Sequence, residues 1–132
     1  MSTIDIISLT ATELSAAIHS RYISCVEVLD VYLIQIEKLN PEVNTIVACK
    51  SRDEHWPLVV EREQQIAKGQ SLGALYEFPQ APKDLMPVRG RFTTLGSPIF
   101  KNKLTMNDGV VSERIRASGA IFIGRTNTPE FG

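Results

Sequence analysis

The sequence predicts an α/β fold, with helices packed on a mixed, partly parallel sheet. Three observations carry this. Two helix starts with capping boxes open the first forty residues, a strand–helix–strand alternation follows, and the last predicted strand, "AIFIG" at 120–124, is apolar throughout rather than alternating. A strand buried on both faces suits parallel pairing beneath helices.

The elements follow in order. "TATE" offers Thr10 as N-cap with Glu13 three residues on, opening a short helix to about Ser20. "SCVE" repeats the device with Ser24 and Glu27. The helix it opens places Leu29, Tyr32, Leu33, Ile36 and Leu39 at helical spacing, and Asn40-Pro41 is expected to stop it. "VNTIVA" at 43–48 is rich in β-branched residues and reads as a short strand. "EHWPLVVEREQQIAKG" at 54–69 reads as a helix, with Pro57 near its first turn and Gly69 just past its end.

From Ser71 to about Met106 the glycines and prolines are dense (Gly73, Pro79, Pro82, Pro87, Gly90, Gly96, Pro98). The expectation there is irregular chain with short strands around Lys83 and Phe92. "MNDGVVSERIRASG" at 106–119 is a further helix, capped by Asn107 or Asp108 and ended by Gly119, before "AIFIG".

Length and composition narrow the function. The chain has 132 residues, enough for one core; 43% are hydrophobic and 22% charged, a globular balance. The formal net charge is −1 and no basic block exists to neutralise phosphates, so nucleic acid and anionic membranes are not expected partners. No apolar run approaches the roughly 20 residues that span a bilayer. "MSTIDIISLT" lacks the basic start and apolar stretch of a secretory signal, so the expected location is cytoplasmic. Cys25 and Cys49, far apart and outside any Cys-x-x-Cys spacing, read as two buried, reduced thiols.

The catalytic inventory is thin. His19 and His55 stand in no partner motif and read as surface or capping histidines. No metalloprotease, nucleophile-elbow or phosphate-loop motif occurs. Lys83, between Pro82 and Asp84 in "LYEFPQAPKDLMPVRGRF", is the exception. Facing the interior at a strand edge, it would be a neutral amine able to activate a serine in place of histidine. With its stem packed and its head in water, it would be an ordinary surface lysine. Asp84 reads as an ion-pair or turn partner.

The order of segments resembles the amidase signature family. A helical stretch like "LTATELSAAIHSRYISCVEVLDVYLIQIEKLNPEVNTIVA" comes first. A Leu-x-Gly-Ile-Pro-x-x-Val-Lys-Asp segment follows, similar to "LYEFPQAPKD", and then a Thr-Thr-x-Gly-Ser stretch like "TTLGSPIF". Last is a passage ending Gly-Lys-Thr-Asn-x-x-Glu-Phe, here "RIRASGAIFIGRTNTPEF". The resemblance implies hydrolysis of a carboxylic amide by a Ser–cis-Ser–Lys triad, with Lys83 as general base, no cofactor and no metal. A small-molecule amide is the expected substrate of the complete machinery.

It also implies a single, incomplete domain over 1–132: a helical region at 1–50 and the start of the α/β core at 51–132. In the family both catalytic serines lie in a Gly/Ser-rich motif beyond the Thr-Asn-x-x-Glu-Phe segment, and this sequence ends at Gly132. The expectation is therefore a truncated, inactive chain; the alternatives are a non-catalytic interaction module, self-associating or paired with a second polypeptide, or one half of a split amidase. Ser97 and Ser112 sit in segments with structural roles in the family. Three departures from the pattern stand near Lys83. Glu77 replaces the family glycine and is expected to crowd the site, Pro82 removes a strand donor, and Gln80 stands where small or apolar residues are common.

Overall fold

The computed structural model describes residues 6–70 and 73–132. Met1–Asp5 and the first two residues of the predicted irregular stretch, Ser71 and Leu72, lie outside the described residues. Helix α1 spans Ala11–His19, α2 Cys25–Val43, α3 Arg52–Ala67 and α4 Val110–Ala117, with a short 3-10 turn at Pro98–Phe100. None is long and apolar enough to cross a membrane.

The first three helices start on the same chemistry. Thr10, Ser24 and Ser51 each accept the N–H of the glutamate three residues on, and that glutamate's carboxylate accepts the cap's own N–H. Two orphan donors are satisfied at each start. The Ser51–Glu54 box puts the beginning of α3 two residues before the predicted Glu54 and leaves Pro57 in its second turn.

Helix α2 runs through Pro41 rather than stopping at it. The proline removes one intrahelical donor near the end, and Asn44 then closes the helix in the left-handed region (φ 46°, ψ 42°), its N–H on the Asn40 carbonyl at 2.7 Å. The Asn40 side chain accepts the Ile46 N–H and donates to the Ile46 carbonyl, both at 2.8 Å, so the chain turns at once into a strand. Only Ile46–Val47 of the predicted strand is extended. Leu39 is exposed, and the buried stripe of α2 is Cys25, Val28, Leu29, Val31 and Leu33. Helix α4 takes Gly109 as its N-cap; Asp108 is turned away to accept the Arg89 N–H and the Arg116 guanidinium.

Among the described residues four short strands make two small sheets: β1 (Ile46–Val47) with β4 (Arg125–Thr126), and β2 (Pro79–Gln80) with β3 (Ile121–Phe122). β2 runs parallel to β3, with Pro79 opposite Ile121, and β1 runs antiparallel to β4, with Val47 opposite Arg125. Lys83 bridges Thr126 in the parallel sense. The stretch 121–126 is thus central to both sheets, one parallel and one antiparallel; the mixed, partly parallel pairing is as expected, split between two small sheets rather than one. From Pro79–Ile121 to Lys83–Thr126 the central stretch gains one residue over its neighbour, a bulge at 123–125. Pro82 lies beside it, where its missing donor is tolerated; its carbonyl accepts the Thr126 N–H at 3.1 Å.

One core holds the layers together. Ile121 and Ile123 point from the central stretch into a cluster with Leu14, Ile18, Ile23, Val28, Leu29, Val59, Tyr76 and Phe78. Phe122 faces the other side, where the Arg116 guanidinium of α4 lies 4.9 Å from its ring centre. The predicted pairing around Phe92 is a single antiparallel bridge to Leu104.

Candidate functional site

The parallel bridge to Thr126 sets the backbone of Lys83, and its side chain is exposed. Of the two readings of this lysine as a bare residue, the head in solvent is the observed one. Its neighbour alternates inward: Asp84 is 4% exposed. The Asp84 carboxylate accepts the Thr94 N–H at 3.1 Å and a short hydrogen bond from the Thr94 hydroxyl. The Asp84 carbonyl accepts the Leu95 N–H. One aspartate therefore folds the "TTLGS" loop back against the lysine segment.

Beneath both lies Arg125, 1% exposed. Its guanidinium donates to the carbonyls of Pro82 (3.2 Å), Lys83 (2.9 Å), Met86 (2.6 Å) and Phe92 (3.3 Å) and to the Thr93 hydroxyl (3.3 Å). Asp84 supplies the countercharge at 3.5 Å. Burial pulls the Arg125 pKa down and Asp84 opposes the shift. A planar fork with five donors can satisfy this many carbonyls where an ammonium cannot. Arg125 is not among the residues that catalytic residue types pick out of the sequence. Its signal is the arginine of "GRTN" where the resembled pattern has lysine, directly after an apolar strand.

The loop is fixed from its far end too. Ser97, 2% exposed, donates its hydroxyl to Glu130 at 2.7 Å, and the Phe131 N–H reaches the Leu95 carbonyl at 2.7 Å. Gly96 sits at φ +69°, and a Cβ there would come within 2.6 Å of the Thr128 carbonyl oxygen, so only glycine allows this approach. Ser112 is fully buried in α4 and its hydroxyl has no partner among the described residues. Neither serine bonds Lys83. A cleft of about 460 Å³ opens beside Asp84, Thr94, Ser97 and Phe92.

Glu77 does not crowd this site. Its side chain turns into the helical layer, 3.7 Å from Arg62 of α3. Its backbone, at φ 63°, holds the left-handed conformation that glycine adopts freely, which explains the glycine of the resembled pattern. His55 is buried rather than a surface or capping residue, and burial pushes its pKa down. His19 is exposed and bonds the Ser15 carbonyl through Nδ1 at 2.8 Å. Cys25 is buried and free, as expected; Cys49 is free but exposed. Among the described residues no group of three or more His, Cys, Asp or Glu is placed to hold a metal ion.

Comparison with known proteins agrees with this arrangement. The Amidase family model matches residues 27–132. An acylamidase of Rhodococcus erythropolis is 34% identical over 124 residues, covering 94% of this chain and 26% of the relative. A glutamyl-tRNA(Gln) amidotransferase component of Carboxydothermus hydrogenoformans, named as one subunit of that enzyme, is 34% identical over 123 residues, covering 93% and 25%. The crystal structure of a bacterial aryl acylamidase of the amidase signature enzymes superposes with a TM-score of 0.85 at 26% identity, covering 94% of this chain and 26% of that one. The chain spans about a quarter of the length of the relatives it matches. On the family match, the relatives and the shared fold, this chain belongs to the amidase signature family.

Proposed function

We propose that Lys83 is the general base of an amide hydrolase acting by the Ser–cis-Ser–Lys route that the family resemblance implies. The carrying observation is the contrast within one residue. The backbone of Lys83 is held by Thr126 and Arg125, while its side chain is open to whatever packs above it. In that chemistry the amine takes a proton through a bridging serine. The nucleophilic serine attacks a carboxylic amide, the amine or ammonia leaves, and water releases the acyl group. Relatives named acylamidase and indoleacetamide hydrolase support amides as the substrate class.

Residues 1–132 contain neither serine of that motif, so these residues alone do not hydrolyse amides in this reading. Turnover requires a polypeptide segment carrying both serines to pack over Lys83. A partner role, by self-association or pairing with a second polypeptide, is the second reading. Ile99, Met106, Val110 and Val111, all well exposed, favour it. The amidotransferase relative is itself named as part of a multi-chain enzyme. A cytoplasmic setting goes with either reading, since both cysteines are free thiols.

The test is hydrolysis of an acyl anilide by residues 1–132 alone, and by the same residues joined to or mixed with an amidase segment carrying the serines. The reading expects no rate above the Lys83→Ala control in the first case and a Lys83-dependent rate in the second. A Lys83-dependent rate from residues 1–132 alone, or none in the second case, would sink it.

A further inference from the structure

A second group of titratable side chains lies apart from the Lys83 site, where α2 and α3 meet the segment leading into β2. Glu77 is at its centre. Its side chain has no exposure, and neither carboxyl oxygen meets a nitrogen or oxygen donor at hydrogen-bond distance among the described residues; the Cys25 thiol is the one donor facing it there. The nearest cation, Arg62 Nε, stands 3.7 Å away and is likewise unpartnered among them. An ionised carboxylate beside a guanidinium normally closes to about 2.7–2.9 Å. At 3.7 Å the two groups face each other without closing a hydrogen bond, so a charge on Glu77 would be poorly compensated.

Every neighbouring element contributes. From α2 comes the Cys25 thiol, 1% exposed; from α3 come Arg62 and Glu63. Glu63 already accepts the Cys25 N–H at 2.6 Å, in the first turn of α2. Tyr76, on the same segment as Glu77, donates its phenol to the Arg62 carbonyl at 2.6 Å, and Arg62 lies 5.7 Å from its ring centre. One cation, Arg62, faces two carboxyls, Glu63 and Glu77, so with both ionised this group would carry a surplus negative charge, part of it on the fully buried Glu77. Desolvation pushes the Glu77 carboxyl up to about 8; the Cys25 thiol and Arg62 pull it partly back, and Glu63 adds to the rise.

We infer that Glu77 is a proton-dependent latch: as the neutral acid it lets α2 and α3 close over the strand leading to Lys83, and on losing its proton it loosens that helical layer. The sign follows from the two states. The folded chain keeps the Glu77 proton over a range where the unfolded chain, with a carboxyl near 4.5, has released it. Stability contributed by this group is full below about 4.5, falls as pH rises, and is lost above about 8. The resembled family pattern has glycine at this position, so the latch belongs to this chain.

The experiment is a carbon-13 titration of the Glu77 carboxyl in the 132-residue chain, beside urea unfolding across pH for the native chain and Glu77→Gln. The expected results are a Glu77 carbon titrating near 8, an unfolding midpoint that declines with pH relative to Glu77→Gln, and an upward move of the titration in Arg62→Gln. A merely structural glutamate would show none of these. A Glu77 carbon titrating at its ordinary value, or the same pH profile with and without the carboxyl, would overturn the latch. The titration decides the matter in the native chain even where Glu77→Gln does not fold.

Discussion

Arg125 donates to the main-chain carbonyl of Lys83 at 2.9 Å from a fully buried position across the parallel pairing. The contact separates two properties of the lysine. Its backbone belongs to the scaffold and its side chain does not, so changes at the two residues have different signatures.

Arg125→Ala strips donors from four carbonyls and leaves Asp84 without its countercharge. Removing one partner of a buried pair costs about 3–5 kcal/mol. Urea unfolding should show that loss. A change under about 1 kcal/mol would mean that the carbonyls find other partners.

Lys83→Ala should leave stability within about 0.5 kcal/mol of the parent, because the side chain is exposed. In a polypeptide that also carries the two serines, the same substitution should lower amide hydrolysis by about 10²–10⁴-fold. Loss of both stability and activity would mark the lysine as structural.

Gly96→Ala forces a side chain into the left-handed region and against the carbonyls of Thr128 and Pro129, at 2.6 and 2.9 Å. The backbone strain alone is about 1–3 kcal/mol. Hydrogen exchange at Phe131, whose N–H is held by Leu95, should quicken well before exchange in α2 changes.

His55 is 3% exposed, and burial holds its pKa below the ordinary 6.5. The folded chain therefore keeps it neutral where the unfolded chain begins to protonate. Its contribution is present above about 6.5 and lost as pH falls below. His55→Gln should remove the rise in stability with pH that His55 contributes near and below 6.5, while leaving the decline between about 4.5 and 8 due to Glu77. An unchanged acid side would show that other groups set it.

The legible parts of the fold were those written in short-range chemistry. The boxes at Thr10–Glu13 and Ser24–Glu27 name their helix starts because cap and partner are three residues apart. Ser51–Glu54 is the same signal, overshadowed by the apolar run that follows it. The end of α2 was not legible at Pro41, because the local bias of a residue before proline is weaker than the packing of α2 on α3. Lys83 was legible as a candidate from its neighbours. The roles of Arg125 and Glu77 were not. One depends on carbonyls some forty residues away, and the other on a helix facing a left-handed turn.

The central stretch at 121–126 finds both of its neighbours far back in the chain, at 46–47 and at 79–83. Its pairings close long loops, whereas the backbone hydrogen bonds within α1, α2 and α3 join residues about four apart. During synthesis the helices can form while the sheet waits. The Lys83 segment then has no strand to lie against until Thr126 has been made. Whatever uses this lysine therefore depends on one of the last stretches of these residues to be synthesised.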